Sequence, residues 1–328
     1  MKILVAPLNW GLGHATRCIP IIRHYLAQGD EVVLAGDGES LLLLRKRFPE
    51  LRAIDLPPLE LHYTSNSKQC GFYIHAICKL IRFTIADHYY LSKIIAIENF
   101  DLIISDNRFG LFARNTRSVY ITHQLYPILP KRLRIFQLFA RALHACIYRR
   151  YDEVWVPDYA DATHNLSGSL SHNGRFDQQA KYIGPLSRFA NITSERPPIE
   201  NSFSMRGYSV VAILSGLEPQ RTLFEQEILQ RFTNSQESVL LIRGKISDPH
   251  TILSKGNITI LPSITDEEFV TVVKNAKTIL ARSGYSTIMD LEILGALQKA
   301  ELHPTPGQSE QEYLLIQIHQ RIHGFQKN

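Results

Sequence analysis

The 328-residue sequence lacks the features that mark several large protein classes. Its four cysteines have neither metal-ligand spacing nor a disulfide-like framework, which favours a reducing compartment and argues against a structural zinc site: Cys18, Cys70, Cys78 and Cys146. It contains no low-complexity tract, no fixed-period repeat and no apolar run of membrane-spanning length. The N-terminal apolar run is interrupted at residues 9–13, so we expect a first buried strand rather than a signal peptide.

The charge of the chain is mild but uneven. A formal net charge of +5 is too small by itself to predict nucleic-acid binding, and we expect no nucleic-acid partner. Residues 131–150 contain six lysines or arginines and no acidic residue, interleaved with apolar side chains. Such a segment is typical either of a basic helix lying on an anionic membrane surface or of a packed helix with a solvated basic face. We therefore expect a cytoplasmic protein, with peripheral binding to the inner face of the membrane left open.

Short apolar runs alternate with helical patterns, which predicts parallel sheets with covered faces. In the first half a helix is predicted over 16–28, and strands over 2–7, 31–35, 101–106, 118–122 and 153–156. A polar, proline-bearing stretch at 196–200 suits a linker. In the second half we predict strands over 209–214, 238–242, 258–261 and 278–281, and helices over 222–232, 267–275, 286–294 and 311–320. The predicted fold is α/β, with two Rossmann-like, doubly wound domains that face each other across a ligand-binding cleft.

The first predicted strand leads into a glycine-containing loop at residues 11–14 and then into a helix. Glycines allow close backbone approach, and the N–H groups of a helix start favour anionic oxygen. The match to a dinucleotide fingerprint is partial because Thr16 replaces the third glycine, although Asp37 could serve as the ribose-binding acid of an NAD enzyme. His14 lies in this loop either as a catalytic imidazole or as a locally packed residue.

Three further strand-to-helix loops lie in the second half. Residues 215–221, with Arg221, suit either a diphosphate cradle or a helix cap. Residues 282–287 form the second loop, and Asp290 follows one turn later, where it can accept hydrogen bonds from vicinal hydroxyls such as those of a ribose. The third, residues 303–312, is dense in amides and carboxylates that can recognise sugar hydroxyls.

Residues 282–287 (RSGYST) and 304–313 (PTPGQSEQEY) resemble the donor-binding half of the MurG-like glycosyltransferases of the GT-B fold. Residues 9–17 (NWGLGHATR) look like the first-half signature of the same group. The resemblance spans almost the whole chain. It implies an inverting hexosyltransferase that uses a nucleotide sugar such as UDP-GlcNAc and a hydroxyl acceptor, for example a lipid-linked or cell-envelope glycan. It also implies an acceptor domain at 1–188, a donor domain at 189–310 and a last helix at 311–328 that returns towards the first domain.

Carried over by position, the resemblance assigns the donor to the second half. The backbone of Leu261 and Pro262 would contact the base. Asp290 would hold the ribose where glutamate is usual, and Gln311 and Glu312 would contact the sugar, with Glu312 in place of a glutamine. The other donor-binding candidates are Ser215, Gly216, Arg221, Arg282, Ser283, Gly284, Ser286, Thr287 and Gln308. Residues 297–302 depart from the family because they are polar where relatives have an apolar strand.

Inverting transfer requires a base for the acceptor hydroxyl and dipolar or positive groups for the leaving diphosphate. His14 is the candidate base, and Asp106, at the end of another strand, is either its partner or a turn or helix cap. The other first-half candidates, for the acceptor or a phosphate, are Asn9, Gly11, Gly13, Arg17, His123 and Gln124. We expect no cofactor and no metal, because no acidic pair with metal-ligand spacing stands out.

Three other functions remain open. A sugar-nucleotide 2-epimerase would need carboxylates at the sugar C2, for which Glu218 and Glu312 are the candidates. A regulator would bind the sugar nucleotide without turnover, and an NAD enzyme would use Asp37. The sequence does not identify the acceptor, because the loops at 61–74 and 125–139 that would bind it contain no motif typical of a particular ligand.

Overall fold

The computed structural model describes residues 1–58, 70–161, 163–172, 180–190, 192, 207–246 and 251–324, with only the backbone of residues 70–78. The chain divides into two compact units, Met1–Gly184 and Pro185–Asn328. The predicted linker at 196–200 and residues 61–69 of the predicted acceptor loop lie outside the described residues.

Unit 1 is built around one parallel sheet. Its strands are β1 (Lys2–Pro7), β2 (Glu31–Gly36), β3 (Ala53–Asp55), β4 (Leu102–Asp106), β5 (Arg117–Ile121), β6 (Glu153–Val156) and β7 (Ala180–Tyr182). Its helices are α1 (Gly13–Ala27), α2 (Gly38–Arg47), α3 (Cys70–Ile97) and α4 (Gln137–Tyr148). The seven strands have the order β3-β2-β1-β4-β5-β6-β7.

The order of this sheet reverses between β1 and β4. The two strands pair in parallel, with Pro7 opposite Asp106, so the loops that follow them leave the same edge of the sheet side by side. Such a switch point is where open α/β sheets bind ligands. The strands themselves are buried on both faces, as Ile3 and Leu4 on β1 show, which is why they read as continuous apolar runs in the sequence.

Unit 2 repeats this plan. Its strands are β8 (Val210–Ile213), β9 (Val239–Ile242), β10 (Leu253–Lys255), β11 (Ile258–Leu261), β12 (Thr278–Arg282) and β13 (Ala300–His303). Its helices are α5 (Gln220–Phe232), α6 (Asp266–Asn275), α7 (Tyr285–Ile293) and α8 (Ser309–Gly324). The sheet order is β10-β11-β9-β8-β12-β13, with only the β10–β11 pair antiparallel among the described strands. Its switch point therefore lies between β8 and β12.

The predicted fold class, two Rossmann-like α/β units with parallel sheets, is confirmed. The cleft between them and the return of the last helix to the first domain stay predictions. Helix α2 and strands β3, β7 and β10 were not predicted, and two further elements differ from the expectation. Helix α3 occupies residues 70–97, where no helix was predicted. Strand β13 overlaps the polar stretch at 297–302. The strand tolerates polar residues because it lies at the edge of the sheet, and its Glu301 forms a 2.6 Å ion pair with Arg231.

Residues 131–148 form two helical pieces rather than one helix. A 3₁₀ segment, Lys131–Phe136, leads directly into α4. Three large apolar side chains on these pieces, Ile135, Leu138 and Phe139, are 84%, 78% and 69% exposed. No helix in the described parts of the chain is long and apolar enough to cross a bilayer.

Candidate active site

The ends of β1 and β4 place an imidazole beside a carboxylate. Asp106 is the last residue of β4, and His14 lies in the first turn of α1, just after the loop that follows β1. His14 Nδ1 lies 2.8 Å from Asp106 Oδ1. The Asp106 side chain is fully buried, whereas that of His14 is 15% exposed. The structure thus brings together the two residues predicted to form a base and its partner, and their catalytic role stays a prediction.

Arg17, one turn after His14 on α1, joins this pair. Its Nε and Nη2 donate to the two carboxylate oxygens of Asp106. Its Nη2 also lies 2.9 Å from His14 Nδ1, and its Nη1 lies 3.2 Å from His123 Nδ1. Arg17 is only 1% exposed, so protein groups enclose its guanidinium. The role predicted for Arg17, contact with the acceptor or a phosphate, stays a prediction.

The charges at this site set the protonation states. Burial alone would raise the pKa of Asp106, but Arg17 and His14 lower it to about 2, so Asp106 is an anion at neutral pH. Burial lowers the pKa of His14, and the Arg17 charge lowers it further against the opposing effect of Asp106. His14 is therefore neutral at neutral pH, which is the form that a general base requires.

A neutral His14 carries one N–H, and its neighbours indicate where. Both Asp106 Oδ1 and Arg17 Nη2 lie within hydrogen-bond distance of Nδ1, which can donate or accept but not both. Arg17 Nη2 already donates to Asp106, whereas a His14 N–H gives the carboxylate a charge-assisted bond. We therefore place the proton on Nδ1. The lone pair then lies on Nε2, where it can accept a proton from a hydroxyl group.

A second buried ion cluster supports the loop after β1. Arg108 donates from Nη1 to Asp37 at 2.5 Å, and from Nε and Nη2 to Asp87 on α3 at 3.1 and 2.7 Å. Asn9 donates to Asp37 at 3.1 Å and accepts from the Ser40 backbone N–H at 3.3 Å. Asn9 thus ties the loop to the start of α2. Asp37 is engaged by protein partners, which argues against the ribose-binding role it would have in an NAD enzyme.

The backbone beside the His14–Asp106 pair adopts conformations that few residues tolerate. Asn107, directly after Asp106, has φ 56°, and its Oδ1 accepts a 2.9 Å hydrogen bond from Tyr120. Gly38 has φ 54°, and a Cβ there would lie 2.2 Å from Asn9 Nδ2. Positive φ outside glycine is uncommon and is often found at functional sites. Local strain and close packing therefore fix the two loops that carry the pair.

The other first-half candidates lie around these residues. Gly11 is in the loop after β1, and the carbonyl of Gly13 accepts a 3.0 Å hydrogen bond from Thr16. His123 is buried two residues after β5 and touches the pair through Arg17. Gln124 is half-buried and donates from its backbone to Thr122 Oγ1 at 3.1 Å. Of this group, His123 joins the network around Asp106 through its contact with Arg17.

In unit 2, the loops after β12 and β13 pack against each other. Arg282 Nη1 donates to the carbonyl of Pro304 at 3.0 Å, and Ser283 Oγ donates to the carbonyl of Gln311 at 2.9 Å. The Gln311 side chain accepts from the Thr305 backbone N–H at 2.8 Å. The structure therefore brings together Arg282, Ser283 and Gln311, three residues that were predicted to bind the donor.

The two arginines among the donor-binding candidates are largely engaged within unit 2. Arg282 is 6% exposed and stacks 4.0 Å over the Phe224 ring. Arg221 is 9% exposed, with Nε 3.1 Å from Glu218 and Nη1 3.2 Å from the carbonyl of Gly244. These contacts shape the loops after β8 and β12. Contact of Arg221 with a diphosphate and of Arg282 with the donor stay predictions.

Asp290 on α7 has a partner that sequence reasoning missed. Ser187, just after the boundary between the units, donates to Asp290 Oδ1 at 2.6 Å. Burial raises the pKa of Asp290 to about 6, although nearby Arg188 and the Ser187 hydrogen bond oppose the shift. A ribose diol at Asp290 would compete with the Ser187 hydroxyl for that oxygen.

The remaining donor candidates lie at the carboxyl edge of the second sheet. Ser215 and Gly216 follow β8, and Gly216 has φ 94°, a conformation that favours glycine. The carbonyls of Leu261 and Pro262, expected to face the base, accept from the backbones of Arg243 and Lys245 at 2.9 and 2.8 Å. Around the starts of α7 and α8 lie Gly284, Ser286, Thr287, Gln308 and Glu312. Among the described residues, no three histidine, cysteine, aspartate or glutamate side chains gather as a metal site.

No family model matches the chain. Two curated relatives, from Methanosarcina mazei and Methanosarcina acetivorans, are each named an uncharacterized glycosyltransferase. They are 21% and 23% identical over 95% of this chain and 82% of their own length.

Three solved structures share the fold, each at 12% identity over 98% of this chain. They are a calicheamicin glycosyltransferase (TM-score 0.56, 94% of that chain), a putative UDP-N-acetylglucosamine 2-epimerase from Listeria monocytogenes (0.57, 90%) and Phytolacca americana UGT2 complexed with UDP-2-fluoro-glucose and pterostilbene (0.56, 83%). The chain therefore has the two-unit, Rossmann-like fold of GT-B glycosyltransferases.

Proposed function

We infer that this chain is a glycosyltransferase, and we propose that it transfers a sugar from a UDP-sugar donor to a hydroxyl group with inversion at the anomeric carbon. The observation that carries the proposal is the 2.8 Å contact of His14 Nδ1 with the buried carboxylate of Asp106 at the switch point of unit 1. Support for the class comes from the names of the two Methanosarcina relatives, whose similarity covers 95% of the chain.

In the proposed reaction, the acceptor oxygen attacks the anomeric carbon while the bond from that carbon to the diphosphate oxygen breaks. His14 Nε2 takes the proton of the acceptor hydroxyl, and Asp106 stabilises the resulting imidazolium. A single displacement inverts the configuration. The leaving diphosphate would meet the start of α7, which follows Gly284 without a side-chain cap and carries the positive end of a helix dipole.

The UDP-sugar donor and the MurG-like relationship rest on the resemblance of the loops at 282–287 and 304–313. The proposed donor is in line with the Phytolacca americana structure, which holds UDP-2-fluoro-glucose together with pterostilbene. We propose that Asp290 holds the ribose and that Gln311 and Glu312 contact the sugar, without a metal ion.

A 2-epimerase is the second candidate, because the Listeria monocytogenes structure is similar over 98% of this chain. The Glu218 carboxylate does not suit that chemistry. It accepts from Arg221 at 3.1 Å and from the Thr222 hydroxyl at 2.7 Å, and although burial opposes the shift, these bonds lower its pKa. Incubation with UDP-GlcNAc alone tests this candidate, and accumulation of the C2 epimer would establish it.

We further propose that the basic apolar face, residues 131–150, binds an anionic membrane surface and brings a lipid-linked acceptor to unit 1. This segment exposes three large apolar side chains, Ile135, Leu138 and Phe139. It also exposes basic residues, including Lys131 and Arg132. Apolar anchors with cationic neighbours complement the acyl chains and headgroups of an anionic leaflet.

Co-sedimentation with phosphatidylglycerol-containing vesicles at low salt tests the membrane proposal. We expect the wild type to pellet with these vesicles and the double variant Leu138→Ser/Phe139→Ser to remain in the supernatant. The matched control is Ile252→Ser/Leu253→Ser, at two unit 2 residues that are 52% and 46% exposed. Failure of the wild type to pellet would overturn this part of the proposal.

The central experiment is a donor screen followed by turnover. Thermal shift across uridine, guanosine and thymidine sugar nucleotides identifies the donor, because specific binding raises apparent stability. With that donor, His14→Gln should lower transfer by about 10²–10⁴-fold while leaving donor binding unchanged. The control His164→Gln disrupts an exposed histidine–aspartate pair, with His164 Nδ1 2.5 Å from Asp161, and should retain full activity. Full transfer by His14→Gln would contradict the base assignment.

A further inference from the structure

Arg17 makes more contacts at the candidate site than a single ion pair requires. It lies three residues after His14, so both side chains project from one face of α1. Its guanidinium binds both oxygens of Asp106 and also reaches His14 and His123. At 1% exposure it does this away from solvent, where each charge acts strongly on its neighbours.

The first consequence concerns His14. A buried carboxylate facing a histidine alone would favour the imidazolium form. Here Arg17 supplies a permanent positive charge to the same carboxylate, so a protonated His14 would be a second cation competing for one anion. In the described part of the chain, the charged or titratable groups that act on His14 are Arg17 on α1, Asp106 at the end of β4 and His123 after β5. Arg17 thus opposes protonation of the candidate base before substrate binds.

The second consequence concerns His123. An arginine can only donate hydrogen bonds. Arg17 Nη2 donates to Asp106 and therefore makes no hydrogen bond to the protonated His14 Nδ1, whereas the contact of Nη1 with His123 Nδ1 requires a lone pair on that nitrogen. A neutral His123 then carries its proton on Nε2. The two rings around Arg17 therefore have opposite tautomers: Nε2 of His14 is an acceptor, and Nε2 of His123 is a donor.

We propose that Arg17 is the positioning residue of the candidate base. Because it shares the Asp106 carboxylate with His14, it keeps His14 neutral, with Nε2 as a hydrogen-bond acceptor. Because it donates to Nδ1 of His123, it keeps Nε2 of His123 as a donor. This inference rests on the proposed function for its catalytic meaning. The tautomers themselves are properties of unit 1 alone.

The first test uses the wild-type protein. Nitrogen NMR of ¹⁵N-histidine-labelled protein at neutral pH distinguishes protonated from unprotonated ring nitrogens, and spectra of His14→Gln and His123→Gln assign the signals. We expect His14 to be protonated on Nδ1 only and His123 on Nε2 only. A doubly protonated His14, or the same tautomer on both rings, would overturn the proposal whether or not any Arg17 variant folds.

The second test removes the charge. In Arg17→Met we expect the NMR titration midpoint of His14 to rise by about one pH unit or more, since a neighbouring charge shifts a pKa by that much. The acidic limb of the kcat/KM profile should move to higher pH with it, because transfer needs neutral His14. Arg17→Lys keeps the positive charge, so its His14 titration midpoint should stay close to the wild-type value. Arg45→Met, at a residue paired with Asp55 in an exposed ion pair, is the control for loss of an arginine.

The two proposals fail in different ways. An unchanged His14 midpoint in a folded, active Arg17→Met enzyme would reject the role of Arg17 and leave the glycosyltransferase intact. Absence of sugar-nucleotide binding and transfer, with the tautomers as expected, would reject the proposed function and leave the arrangement around Arg17 standing.

Discussion

Replacing Asp106 with asparagine removes the anion of a fully buried site and leaves the buried Arg17 facing a neutral amide. Breaking a buried ion pair by removing one partner costs about 3–5 kcal/mol. The pKa gives a second figure: the fall from 3.8 to about 2 is nearly two units at about 1.4 kcal/mol each, or roughly 2.5 kcal/mol. We therefore expect Asp106→Asn to lower the free energy of unfolding of unit 1 by about 2.5–5 kcal/mol at pH 7.

The same pKa fixes the pH window of this contribution. The pKa of Asp106 is depressed in the folded protein, so the stabilisation is fully present above its ordinary value near 4 and is lost as the pH falls towards about 2. The contribution of the Asp106 charge to the difference between wild type and Asp106→Asn should therefore shrink as the pH falls from about 4 towards 2.

Tryptophan fluorescence during urea unfolding is the assay, because the chain's two tryptophans, Trp10 and Trp155, both lie in unit 1. The control is Asp55→Asn, the same substitution in an exposed pair in which Asp55 is 74% exposed and lies 2.8 Å from Arg45. Exposed pairs contribute little, so we expect no measurable change there. If Asp106→Asn unfolds no more easily than Asp55→Asn, the buried ion pair described for Asp106 is wrong.

Three further outcomes are expected. Arg108→Met leaves two buried aspartates without their cation and should lower the unfolding free energy of unit 1 by about 3–5 kcal/mol in the tryptophan assay, whereas Arg45→Met should have little effect. Gly110→Ala places a Cβ 2.2 Å from a backbone carbonyl oxygen of α3 and should lower the unfolding free energy of unit 1 by about 1–3 kcal/mol or more in the tryptophan assay. The control is Gly207→Ala, where a Cβ meets no atom within 4 Å, and it should leave thermal unfolding unchanged. Because burial raises the pKa of Asp290 to about 6, unit 2 should lose stability as the pH rises from about 4 to 6, and Asp290→Asn should abolish that loss in amide hydrogen exchange of β8 and β12. An undiminished pH dependence in the Asp290→Asn protein would show that another group titrates.

Much of the fold could be predicted because parallel strands are buried on both faces and therefore read as short apolar runs between turn residues. Strands β6 and β11 have the predicted bounds. Helix α3 was missed because residues 70–97 carry apolar side chains around the whole helix, so no single stripe marks a face.

The candidate site was predictable only in part. His14 and Asp106 end or follow strands, and topology alone brings such residues to one edge of a sheet. The contact between Arg17 and Asp106 could not be predicted, because the two residues are 89 positions apart and an arginine after a glycine loop suggests phosphate binding. Arg108 has the same problem, with Asp37 separated from it by 71 residues. Such pairs are visible only when the side chains are placed.

The polar edge strand β13 has a consequence for the behaviour of the chain in a crowded cell. An open sheet edge offers unpaired backbone groups to which a strand of another molecule can add. The second sheet ends on one side in β10, three exposed residues long, and on the other in β13, where Glu301 is held by Arg231 and lies 3.1 Å from His303. Short edges with charged side chains resist such addition. The polar residues at 297–302 therefore bury less apolar surface than an apolar strand would, but they protect unit 2 from edge-to-edge aggregation.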